Sequence, residues 1–367
     1  MQDHLASARE FVAFSARGRP LRIVGRDGAV TVGDARRAGA GVDFACPDGG
    51  DTLRLVSDPP SDPGDFRDAA LAALEAAFAW FPDRDVLAVE APAREAWFEP
   101  LVARGVLTRA DNRLLARADA LMQQPALWLA RGEEPPFPER FVLSGDRRHP
   151  LRRPKPEGVT YARFIPWLGE TLTFRAAAVE DDLDVFHRWM NDPRVASFWS
   201  ESGDLEHHRR YLEDLIADPH MIPMISAFDG VPFAYFEIYW AKENRLAPFY
   251  DVDDYDRGWH VAVGEASRRG GAYIAAWLPS LMHFMFLDDP RTRRIVGEPA
   301  ASHVQQIRNL ERSGFARIKT FDFPHKRAAL VSLLRERFFA DRLWLPAQGR
   351  EVGSPASAAP LPLAGAA

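Results

Sequence analysis

The chain has 367 residues, 47% of them hydrophobic and 11% aromatic, with a formal net charge of −6. That length is generous for one domain and comfortable for two, and a chain without a basic excess is a poor partner for nucleic acid. A lone cysteine, Cys46, excludes an intrachain disulfide and a cysteine-rich zinc centre.

The opening residues MQDHLASAREFVAF mix acid with base and lack the apolar stretch of a leader. Residues 1–132 read as a first domain and 133–165, rich in proline and basic side chains, as a linker. Residues 166–345 read as a second domain, and 346–367, an Ala/Pro/Gly stretch without periodicity, as a disordered tail. The longest near-apolar run, Tyr273–Leu287, is broken by Pro279, Ser280 and His283 and is too short and polar to span a bilayer. The expected location is therefore cytoplasmic.

In the second half, Leu172–Ala177 reads as a strand. Glu180–Asn191 reads as a helix with Leu183, Phe186 and Met190 on one stripe, and Leu205–Ile216 as another. Met224–Phe228 and Val231–Trp240 form a hairpin across Asp229-Gly230, a favoured type I′ pair. Gly258–Gly264 is a strand, Ala272–Phe286 a helix and Arg294–Glu298 a strand. Ser302–Ser313 is a helix closed by Gly314, and Ile318–Phe323 and Ala328–Leu334 are the closing strands. The order is that of an α/β fold, a mixed sheet covered by helices. Phe81–Arg109 repeats the order of Leu287–Thr320: an aspartate-bearing turn, a short strand reaching Glu and Pro, an amphipathic helix, a glycine and a strand. Either strand–helix units recur by chance, or the fold is duplicated with a degenerate first copy that only scaffolds.

The chemistry concentrates between residues 230 and 300. On Gly258–Gly264, His260, Ala262 and Gly264 share a face, so the histidine sits among small residues with room for a ligand. An imidazole titrates near the working pH and can take a proton from a nucleophile, although an isolated strand histidine is more often structural. The turn Ser267–Ala272 follows, with Arg268, Arg269, Gly270 and Gly271 ahead of a helix whose N-terminal N–H groups suit an anion. Glu298 ends the next strand, where open sheets carry functional side chains. Tyr235, Glu237 and Tyr239 share one face of their strand, and Glu237 there reads as a contact for a cationic substrate group. The acidic run Asp251, Asp253, Asp254 and Asp256 lacks the glycine and distal glutamate of a calcium loop. His187 and His207-His208 lack metal spacing, so no metal is assigned.

The strings FRAA, FHRWMNDPRVASFW, YFEIYWAKE, DRGWHVAVGE, RIVGEP, RSGF, PHKRAALV and RERFF resemble the siderophore-biosynthesis branch of the GNAT acyltransferases, over residues 170–340. The resemblance implies the GNAT acyl-CoA N-acyltransferase fold. It also implies transfer of acetyl or another acyl group from acetyl-CoA or acyl-CoA to the hydroxylamine nitrogen of a hydroxylated lysine, ornithine or diamine, in hydroxamate siderophore biosynthesis. It implies His260 as the base with Glu298 as its acidic partner, and coenzyme held by Val261, Val263, Arg268, Arg269, Gly270, Gly271 and Ala272. Trp199, Glu237, Tyr239, Trp240 and Lys242 match its substrate and acyl pocket. Ser267 stands where the family's pyrophosphate turn has Gln or Arg, His303 where it has Asn, and Leu310 where many members have a tyrosine acid. Competing readings are an acetyltransferase of an ordinary amine and a non-catalytic acyl-CoA-binding scaffold, and a homodimer is allowed.

Overall fold

The structure is a computed structural model describing residues 9–13, 20–37, 41–47, 50–91, 94–324 and 326–346. Of the expected tail only Pro346 is described, and residues 1–8, part of the opening stretch expected not to be a leader, lie outside the described residues. The described residues include two eight-stranded sheets.

The first sheet holds β1 (Arg9–Ala13), β2 (Leu21–Arg26), β3 (Ala29–Asp34), β4 (Val42–Ala45), β5 (Thr52–Leu55), β6 (Val86–Glu90), β7 (Leu107–Ala110) and β8 (Arg113–Arg117). Helices α1 (Pro63–Trp80) and α2 (Glu99–Ala103) connect its later strands, and α3 (Ala118–Leu121) and α4 (Pro125–Trp128) follow. A two-stranded hairpin, β9 (Phe141–Ser144) and β10 (Arg147–Pro150), precedes the second sheet.

That sheet comprises β11 (Val159–Ile165), β12 (Glu170–Ala176), β13 (Met221–Phe228), β14 (Val231–Trp240), β15 (Arg257–Val263), β16 (Arg294–Gly297), β17 (Ala316–Asp322) and β18 (Arg327–Leu334). Its helices are α5 (Val179–Met190), α6 (Pro193–Trp199), α7 (Leu205–Ala217), α8 (Gly271–Asp288), α9 (Val304–Arg312) and α10 (Arg335–Ala340). None of the described helices is long and apolar enough to cross a membrane.

The strand orders are β1-β2-β3-β4-β5-β6-β8-β7 and β11-β12-β13-β14-β15-β16-β18-β17, the same path twice. Each sheet has a parallel pair in the same place, β5 with β6 and β15 with β16. A parallel pair needs a long crossover, and an 18-residue helix supplies it in both cases, α1 and α8. The recurrence seen in the sequence is thus a repeated topology. The copies differ where the chemistry lies. Between β12 and β13 stand α5, α6 and α7, whereas β2 and β3 join directly through Asp27 and Gly28, both at positive φ.

The local reasons for the second sheet are plain. Asp229 (φ 46°) and Gly230 (φ 78°) make the hairpin turn that pairs β13 with β14. Asp192 and Asp204 cap α6 and α7 by accepting from Arg194 N and His207 N. Acidic side chains open α5 and His187 and Arg188 close it, matching the helix dipole.

The halves share a core. Phe11 stacks on Phe164 with centroids 4.3 Å apart, and buried His283 joins Tyr161 Oη (3.0 Å) to the Met122 carbonyl (2.5 Å). Burial drives that imidazole down to about 3, so it stays neutral. The stretch expected as a linker, 133–165, is tied to the second half instead. Buried Arg152 pairs with Glu243 at 2.6 Å and lies over the Trp240 ring. Lys155 donates to the carbonyls of Leu215 and Ile216, and the stretch ends in β11. Proline and arginine content reads as a linker, but Arg152 and Lys155 are held by contacts within the fold.

Candidate active site

Antiparallel pairing sets Glu237 of β14 opposite His260 of β15, with Tyr235 opposite Ala262 and Tyr239 opposite Gly258. Residues directly across a ladder share a face, so the strand alternation becomes a cluster. His260 Nδ1 lies 2.9 Å from Glu237 Oε2, and Nε2 lies 3.1 Å from Glu298 Oε1. The phenols of Tyr211 (2.6 Å) and Tyr235 (3.3 Å) donate to Glu237 Oε1. Tyr239 donates to Glu298 Oε2 at 2.8 Å.

These contacts fix the charges. Burial alone would lower the His260 pKa, yet hydrogen bonds and attraction from Glu237 and Glu298 outweigh it and raise the imidazole to about 9. Burial opposes ionisation of Glu298, but the His260 hydrogen bond and charge, with Lys326 nearby, hold it down to about 2. Tyr211, Tyr235 and Tyr239 are pushed up by burial and by the carboxylates they serve, so they remain donors. At neutral pH the centre is an imidazolium clamped between two carboxylates.

Gly258 is needed where Tyr239 crosses it, since a Cβ there would sit 2.3 Å from the phenol ring. Gly258→Ala is expected to cost about 1–3 kcal/mol by overpacking, read as a lower Tm, and to reduce turnover by moving Tyr239 off Glu298. An unchanged Tm and rate would show that the ring yields freely.

β15 and β16 pair in parallel only at Arg257–Ile295 and Gly258–Val296, and then part. Glu298 follows at the carboxyl end of β16. Peptide groups alternate along a strand, and the carbonyls of Val261 and Val263, turned from β14, accept from Trp199 Nε1 (3.0 Å) and Arg269 (2.5 Å). Their N–H groups face the same gap. Beyond it, Gly270 (φ 106°) turns the chain into α8, which opens at Gly271-Ala272 with no acidic residue in its first turn. Nothing lies within 4 Å of where a Cβ would stand on either glycine. A helix start of this kind presents unpaired N–H groups.

A cavity of about 510 Å³ opens over this cluster, and Trp199, Glu201, Tyr211, Arg245, His303 and Lys326 help to line it with His260, Glu237, Val261 and Glu298. Of the residues expected at the site, these last four and Trp199 meet there. Tyr239 is fully buried behind Glu298 and donates to it. Three expectations differ from the structure. Trp240 lies on the opposite face of β14, under the guanidinium groups of Arg152 (4.2 Å) and Arg257 (4.0 Å). Lys242 pairs with Asp254 at 3.3 Å, away from the cavity. Arg268 turns onto Glu170 at 2.7 Å and Tyr273 at 3.1 Å, so its charge is met within the fold.

Sequence reasoning missed Tyr211, Arg245 and Lys326. Only Tyr211 carried a signal, lying one turn from buried His208 on the inner face of α7. His303 stacks on Phe198 at 5.1 Å, and Leu310 is buried. His187 and His208 hydrogen-bond to each other, and no metal-holding cluster occurs among the described residues. Asp256, within the acidic run, is buried and accepts from Arg294 (2.6 Å) and Tyr250 (2.9 Å).

A family model described as an acetyltransferase (GNAT) domain matches residues 178–323. The N(6)-hydroxylysine O-acetyltransferase of Escherichia coli is 39% identical over 247 residues, 67% of this chain and 78% of that protein. The N(5)-hydroxyornithine:cis-anhydromevalonyl coenzyme A-N(5)-transacylase of Beauveria bassiana is 44% identical over 220 residues, 59% of this chain and 48% of that protein. A hydroxyornithine transacylase of Ajellomyces capsulatus is 42% identical over 218 residues, 56% and 50% of the two chains. The chain spans about half the length of these last two relatives.

Proposed function

This chain belongs to the siderophore-biosynthesis branch of the GNAT acyltransferases, and from that premise we propose that it moves an acyl group from acyl-coenzyme A to the hydroxylamine nitrogen of a hydroxylated lysine, ornithine or diamine. The observation that carries the reading is the Glu237–His260–Glu298 cluster beside the gap between β15 and β16. The names of the relatives, which join hydroxylated amino acids to acyl transfer, support it.

In this reading the α8 N-terminus and Arg269 receive the pyrophosphate, and the N–H groups of Val261 and Val263 receive the pantetheine arm and the thioester oxygen. An N-alkyl hydroxylamine is largely neutral near pH 7 and needs only modest activation. Its nitrogen attacks the thioester carbonyl, the N–C bond forms, and the nitrogen's proton passes to His260. Collapse of the tetrahedral species breaks the C–S bond and releases the coenzyme thiolate, which is then protonated. No enzyme-bound acyl intermediate is required.

The test is thiol release from acetyl-CoA with the full chain and a panel of hydroxylysine, hydroxyornithine, hydroxylated diamines and their unhydroxylated parents. Release with hydroxylated members alone, and a product that colours with ferric iron as hydroxamates do, is the expected result. Release with ordinary amines alone would overturn the reading, and an ester product would move the acyl group from nitrogen to oxygen.

A further inference from the structure

We infer that Glu237 is a positioning residue for His260, and not the contact for a cationic substrate group that its sequence suggests: it fixes the imidazole through Nδ1, so that Nε2 is delivered to Glu298 and the cavity. The inference rests on the reading of His260 as the proton acceptor.

Both carboxylate oxygens of Glu237 are already spent. Oε2 takes His260 Nδ1, and Oε1 takes the phenols of Tyr211 from α7 and of Tyr235 from β14 itself. The side chain is only 5% exposed. A substrate ammonium reaching it would compete with three donors for an almost fully buried carboxylate, and any donor it displaced would be left without a partner, which is costly. The surroundings instead hold a ring in place. Trp199 of α6 meets the imidazole edge-on at 6.3 Å, and Tyr239 tilts against it at 5.1 Å.

The charged and titratable groups around His260 are Glu237 and Tyr239 on β14, with Tyr211 and Tyr235 behind Glu237, and Glu298 after β16. Beyond Glu298 stand Arg245, 3.8 Å from its carboxylate, and Lys326, which donates to its carbonyl. The two carboxylates differ in consequence. Both line the cavity, Glu298 beside these cations and Glu237 among the phenols of Tyr211 and Tyr235. When the imidazolium gives up a proton, Glu237 keeps the one on Nδ1, which fixes the tautomer and leaves the Nε2 lone pair on the side of Glu298 and the cavity.

The test follows the imidazole resonances of the full histidine-labelled chain against pH, with His260 assigned by its loss in His260→Gln. Glu237→Gln, nearly isosteric, is expected to lower the His260 midpoint by about 1–3 pH units, and Glu237→Asp, which keeps the charge, by less. Compared at a pH above both midpoints, where His260 is unprotonated in each protein, turnover should fall about 10-fold or more in Glu237→Gln, with the KM for the amine changing less than about 2-fold. An unmoved midpoint would overturn the assignment, and so would a KM that rises while kcat holds, the signature of a lost substrate contact. If the parent chain turns over none of the hydroxylated amines, the proposed function fails while the titration still decides the role of Glu237.

Discussion

His260→Ala is expected to lower turnover by about 10²–10⁴-fold, the range in which a positioned acid–base group contributes, while acyl-CoA binding survives. The second half of that expectation follows from geometry. The groups proposed to hold the coenzyme are main-chain N–H groups on β15, the α8 N-terminus and Arg269, none of which depends on the imidazole. The variant also has a structural consequence. His260 bridges two buried carboxylates, and without it Glu237 and Glu298 face each other across an emptied site. One of them must then take up a proton or draw in water, so the Tm should fall as well. His260→Gln, which restores a donor, separates the two effects: it should recover most of the lost stability and little of the lost rate. Thiol-release kinetics, coenzyme titration and thermal melts on both variants check this, and turnover near the parent level in either would remove His260 from the chemistry.

A steep pH dependence is the second large effect. With His260 raised to about 9, only a small fraction is unprotonated at pH 7, and that fraction grows about 10-fold per pH unit. The rate constant kcat/KM at low amine concentration should therefore climb about 50-fold between pH 7 and pH 9, about 100-fold in all, and level off above about pH 10. Stability moves the other way. The folded pKa lies above the ordinary 6.5, so the clamp's contribution is complete below about pH 6.5 and is lost as pH rises through about 9. Glu298 is the opposite case: held at about 2, it contributes above about pH 4.5, and that contribution is lost as pH falls through about 2. Rate and melting temperature measured across the same alkaline window should cross, activity rising as Tm falls. A flat rate profile from pH 7 to pH 9 would mean that the proton leaves by another route.

The sequence by itself determined the elements and their faces. Periodicity gave the strands and helices of the second half, because a buried stripe must repeat every two residues on a strand and about every 3.6 on a helix. Asp229-Gly230 set the hairpin because both residues accept positive φ. Alternation alone already put Glu237 with Tyr235 and Tyr239, and His260 with Ala262, and it put Trp240 on the other face of its strand. The family strings pointed to His260 and to the glutamate after β16, which the structure places 3.1 Å apart.

What alternation could not supply was register and distance. Only the pairing of β14 with β15 sets Glu237 against His260, and only the separation of β15 from β16 opens the gap in which Glu298 reaches Nε2. Tyr211, Arg245 and Lys326 arrive from a helix and two loops distant in sequence, so no local spacing announces them. Arg268 and Lys242 matched the family's positions, but their charges had partners that the linear order does not show, Glu170 and Asp254. The proline- and arginine-rich stretch 133–165 looked like a linker for the same reason: composition records how many charges a segment carries, and tertiary contacts alone decide whether solvent or the fold neutralises them. Sequence determined which groups could meet on a face, and the tertiary structure decided which did, turning a histidine with room beside it into an imidazolium held by two carboxylates.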